Sequence, residues 1–272
     1  MTSHGFDQYL RRLGVVELPP ASCPFDPGIA PAVLESHLEQ SAHLILSLKI
    51  SMSCWIIADP AATRRKVAAA TAAGVATSAG GGPYEVAVAQ GALPDYLDLC
   101  VDVGFDAIEC GSGFTQEGMP PAEAAAMIRE RNLVFDYELG DKHGGEFDSA
   151  AIAELIDEGH RWLEAGARRL VIEARESASD IGLFDARGKL DTAHAERLVD
   201  EFGLQRLVFE APTKPSQFAL IEHFGPGVQL GNLPLDELLR VETYRRGLHS
   251  DAFANPSLRP RRPGAPLENQ AR

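Results

Sequence analysis

The tightest constraint in this chain is a plan used three times: a glycine, a short apolar run, and a glutamate at its end. Gly104 to Glu109, Gly166 to Glu173 and Gly203 to Glu210 follow it, and Leu133 to Glu138 ends the same way without the leading glycine. A helix that stops on a left-handed glycine and turns into a short apolar strand is the join of a βαβ unit. Short apolar runs alternate with longer amphipathic stretches through the rest of the chain. The pattern predicts strands at Gly14–Leu18, His43–Ser51, Val75–Ala79, Phe105–Glu109, Leu133–Glu138, Arg168–Glu173, Arg206–Glu210 and Val228–Leu230. Helix starts are marked by Asp59 before Pro60, Pro120 with Pro121, Asp148 with Ser149, Pro215 and Pro234. Gly74, Gly225 and Gly247 mark helix ends, as do the glycines that open the three repeats.

Eight strands with helices between them predict an α/β fold, a single (β/α)8 TIM-type barrel over residues 1–253, and 272 residues suffice for one. The alternative, an open doubly wound sheet, lacks its signatures: no Gly-x-Gly-x-x-Gly follows the first strand and there is no Walker loop. Residues 254–272 mix Pro256, Pro260, Pro263 and Pro266 with arginines, so a disordered tail without a core contribution is expected there.

A formal charge of −14 argues against nucleic acid, whose phosphate backbone demands a basic face. The most apolar stretch, Leu44 to Ala58, is interrupted by Lys49 and several serines, so no membrane span is expected. The first ten residues lack the basic-then-apolar pattern of a secretory leader, and a cytoplasmic location is expected. Cys23, Cys54, Cys100 and Cys110 are widely spaced in apolar surroundings and are read as small hydrophobes.

In a barrel, the C-terminal strand ends and the loops after them form the active face, so Glu109, Glu138, Glu173 and Glu210 are expected to converge on one cavity. Four facing carboxylates repel one another unless a divalent cation, or Arg and Lys, relieves them. The loop Ala174 to Lys189 is longer than the usual two to six residues and carries Arg175, a planar fork for carboxylate or phosphate. Lys142 and Lys214 add point charges from neighbouring loops. Gly80 to Gly82, and Gly231 beside Asn232, are places where backbone approaches a ligand closely, the latter pair near the usual phosphate corner of a barrel. His143 offers proton transfer near neutrality. No His-Glu-x-x-His or Gly-x-Ser-x-Gly occurs, so zinc-protease and serine-hydrolase readings fail.

The run Val171, Ile172, Glu173, Ala174, Arg175, Glu176, Ser177, continuing to Gly182, Leu183, Phe184 and Asp185, resembles the phosphosulfolactate synthase family. Val208 to Pro212 with Lys214 and Gln217, then Phe224, Gly225, Asn232, Glu242, Thr243 and Arg245 to Leu248, continue the resemblance in register. It implies a Mg²⁺-dependent barrel lyase that adds sulfite to phosphoenolpyruvate on the route to coenzyme M. On that footing Glu109, Glu138 and Glu173 are assigned to Mg²⁺. Lys142, as the acid, joins Arg175 and Glu210 as catalytic groups, and Arg175, Lys214, Gly231, Asn232 and Arg245 are assigned to a small phosphoenolpyruvate-like anion.

The first half departs from the family pattern. Its Asp-Lys-Gly after the first strand is read at Leu18, Pro19 and Pro20, and its Gly-Trp-Gly-Thr at Ser51, Met52, Ser53 and Cys54. A threonine after two glycines is Gly82, and the first lysine of Gly-Lys-Lys is Asp141. Two other readings therefore stand beside sulfite addition: another enolate reaction on a phosphorylated acid, of aldol or isomerase type, and a non-catalytic, stress-related or interaction role. Assembly as a homo-oligomer is expected.

Overall fold

The structure, a computed structural model, describes residues 4–115 and 118–261. Eight parallel strands close into a barrel in sequence order: β1 (Ser22–Asp26), β2 (Leu48–Ile50), β3 (Thr77–Ala79), β4 (Ala107–Cys110), β5 (Val134–Leu139), β6 (Leu170–Ile172), β7 (Leu207–Glu210) and β8 (Gln229–Pro234). β8 pairs with β1 to complete the ring, and helices follow the strands around its outside. None of the helices among the described residues is long and apolar enough to cross a membrane.

The two-residue period of a strand sorts its side chains between barrel and helices. On β5, Phe135 and Tyr137 face outward onto Trp162 of helix Ser149–Ala165, while Asp136 and Glu138 face inward. Around β6 the inward positions are Arg169, Val171 and Glu173. The interior is therefore layered. Its lowest layer is polar: the Arg169 guanidinium crosses the barrel to Asp136 Oδ2 at 2.7 Å, Ser47 Oγ at 3.3 Å and Gln229 Oε1 at 3.4 Å. Burial alone would raise the Asp136 carboxyl, but Arg168 and Arg169 outweigh it and hold the pKa below its usual value. Above this layer Cys23, Val171 and Val208 pack as a small apolar plug. The uppermost layer holds the glutamates.

The first strand is displaced from its expected place. Val15 to Pro20 have no regular structure, and β1 forms instead around Pro24, a residue that argues against a strand when read in sequence. The register between β1 and β8 shifts between Ser22 and Pro24, and this irregularity accommodates a residue without an N–H. β1 consequently closes on Asp26 and is followed by Pro27 and Gly28, whereas Leu18 to Pro20 lie ahead of the barrel. Asp26 Oδ1 accepts the Gly28 N–H at 2.8 Å, and Oδ2 takes the buried Lys66 ammonium at 2.6 Å. Gly28 has φ +119°, where a side chain is strained.

A helix not anticipated from the sequence, His4–Leu13, precedes the barrel with Phe6 and Tyr9 exposed. At the other end, Leu258 is buried in the core cluster although it falls in the segment expected to stay clear of it. Gly247 explains why: a Cβ there would lie 2.0 Å from the Leu258 carbonyl, so the chain doubles back onto its own last helices. The remainder of the expected tail, 262–272, lies outside the described residues.

Candidate active site

All four glutamates reach the C-terminal mouth of the barrel, where they line one cavity of about 740 Å³ with Lys49, Lys142 and Arg175. Two lysines divide the carboxylates between them. Lys49 Nζ, projecting inward from β2, lies 3.0 and 3.1 Å from the two oxygens of Glu109 and 3.3 Å from Glu210 Oε1. Lys142, in the loop after β5, contacts Glu138 and stands 2.8 Å from Glu173 Oε2.

Backbone and amide donors fill in the rest. Glu109 Oε1 accepts the Gly81 N–H at 3.2 Å, Glu210 Oε2 accepts the Ala174 N–H at 3.1 Å, and Glu210 Oε1 accepts from the Asn232 amide. Glu173 Oε1 accepts the Arg175 N–H, a bond that turns Arg175 into the left-handed region at φ +54°. Such strain in a non-glycine residue persists only where surrounding contacts impose it. The loops after β5 and β6 are stitched together, since the Phe147 N–H donates to Gly182 O at 2.8 Å and the Gly182 N–H to Gly145 O at 2.9 Å. Gly182 is required there, because a Cβ would sit 2.2 Å from the Glu173 carbonyl. Arg175 is exposed at the rim and donates to the Lys142 carbonyl at 3.0 Å.

Electrostatics separate groups that look alike in sequence. Burial, then the charge of Glu173, pushes Glu210 up to about 8 in spite of Lys49. Burial and the same neighbour push Glu138 well above the carboxylate range. Glu173 goes the other way, to about 2, because Lys142 and the Arg175 N–H outweigh its burial. Burial pulls both lysines down, yet the surrounding glutamates more than reverse this and raise them. Near neutral pH the mouth thus holds two fixed ammonium groups, an ionised Glu173 and a Glu210 carboxyl that retains its proton.

The assignment of Glu109, Glu138 and Glu173 to Mg²⁺ meets a donor set that does not fit a resident ion. Among the described residues no group of three or more His, Cys, Asp or Glu side chains is arranged to hold a metal. Nearly every carboxylate oxygen of the four glutamates already accepts from an N–H of Lys49, Lys142, Asn232 or the backbone.

Of the remaining sequence-assigned residues, Asn232 lines the cavity at φ +48°, and His143 also lines it. Gly231 pairs with Glu210 across the β7–β8 ladder, and its carbonyl accepts the Ala211 N–H. Lys214 turns outward, 46% exposed, to Asp251 at 3.3 Å and over the Phe218 ring. Arg245 is at the opposite pole: it is buried, and it donates to the carbonyls of Pro226 at 2.6 Å and Val228 at 2.7 Å and to Glu242 at 3.2 Å. The cause is directional, because Arg245 ends helix Leu238–Arg245 and a helix that follows a strand runs back toward the strand N-termini. Neither cation reaches the cavity. Lys214→Ala is expected to leave KM within about twofold, whereas Arg245→Met is expected to cost about 3 kcal/mol in urea unfolding with KM unchanged. A tenfold rise in KM for either would return that residue to the site.

Sequence reasoning missed Lys49, which it took only as an interruption of an apolar run. The available signal was its parity: it stands at an inward position of a strand, where a buried ammonium requires carboxylate partners.

A closed parallel barrel with acids and ammonium groups gathered at its C-terminal mouth has the site of an α/β-barrel enzyme. The chain belongs to the (2R)-phospho-3-sulfolactate synthase (ComA) family, whose sequence profile matches residues 22–251, starting at the first residue of β1. It is 30% identical to phosphosulfolactate synthase of Methanocaldococcus jannaschii over 229 residues, covering 84% of this chain and 91% of that protein. It is 31% identical to phosphosulfolactate synthase of Bacillus subtilis over 178 residues, covering 64% of this chain and 69% of that one. Among solved structures, the YdjI aldolase of Escherichia coli superposes with a TM-score of 0.53 at 11% identity, covering 95% of this chain and 96% of that one. Phosphonopyruvate hydrolase gives 0.51 at 13% identity, covering 84% and 80%. Likeness at that level speaks to the barrel fold.

Proposed function

We propose that this chain adds a sulfur nucleophile, sulfite or a relative of it, across the double bond of phosphoenolpyruvate, as a carbon–sulfur lyase acting in the direction of bond formation. Family membership supports the reaction type. The observation that carries the chemistry is the Glu210 carboxyl, held near pKa 8 beside two ammonium groups that neighbouring carboxylates lock in the charged state.

Attack at the methylene carbon drives negative charge onto the substrate carboxylate. Lys142 and Lys49 stabilise that charge, and Arg175 at the rim offers a bidentate grip on the phosphate or the carboxylate. The neighbouring carbon then takes a proton from Glu210, which at neutral pH is a neutral acid with a pKa close to the working range. Lys142, expected from the sequence to be the acid, suits the stabilising role better, because Glu138 and Glu173 hold its proton in place. No step in this scheme is assigned to a metal ion.

Phosphorus NMR tests the reading. Incubation of the protein with phosphoenolpyruvate and sulfite or a thiol, with and without Mg²⁺, is expected to replace the substrate resonance by one new phosphate-ester resonance without release of inorganic phosphate. An unchanged spectrum under every combination would refute it.

A further inference from the structure

Resting on the stabilising role given above to Lys142, we infer that Glu85 is a positioning residue, which fixes the Lys142 ammonium in the cavity through the loop after β4. Glu85 belongs to helix Gly81–Ala89, whose first residues, Gly81 and Gly82, line the cavity; it stands one turn further along and is 0% exposed. Three donors converge on one of its oxygens. Glu85 Oε2 accepts the Phe114 N–H at 2.9 Å, the Thr115 N–H at 3.2 Å and the Thr115 hydroxyl at 3.4 Å. Glu85 Oε1 has no hydrogen-bond partner among the described residues. A buried carboxyl costs free energy unless hydrogen bonds offset its lost hydration. Here those bonds all go to residues 114 and 115, so burial of Glu85 and the placement of that loop depend on each other.

The loop carries the constraint onward to the site. Gly113 O accepts the Lys142 N–H at 2.9 Å. A Cβ at Gly113 would lie 2.6 Å from Gly140 O and 3.6 Å from Lys142 Cγ, so the loop backbone packs against both the chain and the aliphatic stem of Lys142. Gly111 allows an equally close approach on the barrel side, where a Cβ would stand 3.3 Å from Glu85 Oε1 and 3.5 Å from Glu138 Cβ. Ser112 Oγ, 3.2 Å from Tyr137 Oη, ties the near end of the loop to β5, and Glu85 takes both N–H groups beyond it. The path from Glu85 to Lys142 thus runs through one buried carboxyl and a few backbone atoms, with no flexible side chain between them. It ends at an ammonium that touches Glu138 and lies 2.8 Å from Glu173 Oε2. Misplacing a reacting group by about 1 Å costs about 100-fold in rate, and that sets the scale for releasing this loop.

The role asks Glu85 for an acceptor and for no proton transfer. Glutamine supplies it, because all three donors meet on a single oxygen and the amide oxygen can take that place. Methionine, of similar length, removes the acceptor from both N–H groups. Aspartate keeps the carboxyl and draws it back by one methylene, out of reach of the loop.

The test joins steady-state kinetics with phosphoenolpyruvate and sulfite to amide hydrogen exchange on the full chain. Glu85→Met is expected to lower kcat by about 100-fold with KM for phosphoenolpyruvate within about threefold. The Phe114 and Lys142 amides are expected to exchange about tenfold faster or more, while those of β6 and β7 keep the wild-type rate. Glu85→Gln is expected to restore kcat to within about fivefold of wild type. In the double variant with Lys142→Met, the loss of kcat is expected to equal that of Lys142→Met alone, since Glu85 acts through that lysine. Should Glu85→Met fail to fold, Glu85→Asp takes its place with the same expectations. Unchanged exchange at Lys142, losses that multiply in the double variant, or a Glu85→Gln as impaired as Glu85→Met overturns the inference. A Lys142→Met with wild-type kcat, or no turnover in the wild type, overturns instead the role of Lys142 or the addition reaction, and exchange at Lys142 then decides by itself whether Glu85 sets its place.

Discussion

Lys49→Met is expected to lower kcat by about three orders of magnitude and to destabilise the barrel by about 3–5 kcal/mol at pH 8, with a much smaller destabilisation at pH 5. Lys49 is the shared cation of Glu109 and Glu210, reaching both from β2 at 3.0 and 3.3 Å. Removing it leaves two buried carboxyls facing one another without a counter-charge. Its own ammonium is raised above the ordinary lysine value of 10.5, so the stability it contributes is present throughout neutral pH and is lost only on strong alkalinisation. The pH dependence of the variant therefore comes from the carboxyls. Glu210, already near 8 with Lys49 in place, moves higher without it. A carboxyl raised above its unfolded value of 4.5 does not weaken the fold below that value and weakens it progressively as pH rises toward the folded pKa. Urea unfolding of wild type and variant at the two pH values measures the difference. An equal loss at both, or a kcat within tenfold of wild type, would show that Lys49 does not hold this pair together.

Glu210→Gln carries the second large effect. General acid catalysis contributes about 10²–10⁴-fold, and a loss of kcat in that range is expected. The diagnostic part is the pH profile. Wild-type kcat/KM is expected to fall as pH rises through about 8, where Glu210 loses its proton, while the residual rate of the variant stays level from pH 7 to 9. The glutamine amide has a single oxygen, which accepts either from Ala174, now at Oε2, or from Lys49 and Asn232, now at Oε1, and its NH2 faces the donors left over, so a destabilisation of about 1–3 kcal/mol is expected at pH 5. Between pH 4.5 and 8 the variant gains stability relative to wild type, because the unfolded wild-type carboxyl ionises in that window while the folded one keeps its proton, and the amide does neither. Glu173 works in the opposite sense: its pKa of about 2 adds stability above 4.5 that disappears as pH falls toward 2. A variant that keeps the alkaline fall near pH 8 would move the acid role away from Glu210.

The barrel was legible where helix ends and strand ends carry local chemistry. Gly104 and Gly166 adopt the left-handed conformation that their positions imply, and the glutamate closing each repeat lies at the cavity mouth. β1 was not legible, because Pro24 is tolerated by a shift in register between β1 and β8, a relation between segments some 200 residues apart. Arg175 and Asn232, assigned from the sequence to the substrate, both line the cavity, and both rely on left-handed backbone that a sequence does not announce. Lys214 and Arg245 were placed by motif, but the direction of a side chain from a returning helix is set by packing.

By itself the sequence determined that four carboxyls, each at the end of an apolar run, would gather at one face of a parallel barrel, because chain parity and helix-stop glycines are local properties. Only the tertiary structure decided which of them are charged. That depends on Lys49 and Lys142 lying within a few ångströms of residues distant in the chain, and on the dielectric surroundings those contacts create. Two glutamates with the same strand-end setting, Glu173 and Glu210, consequently differ by several pKa units. One serves as a fixed negative charge and the other as an acid, because ionisation energies follow distance and burial, neither of which is written in the order of residues.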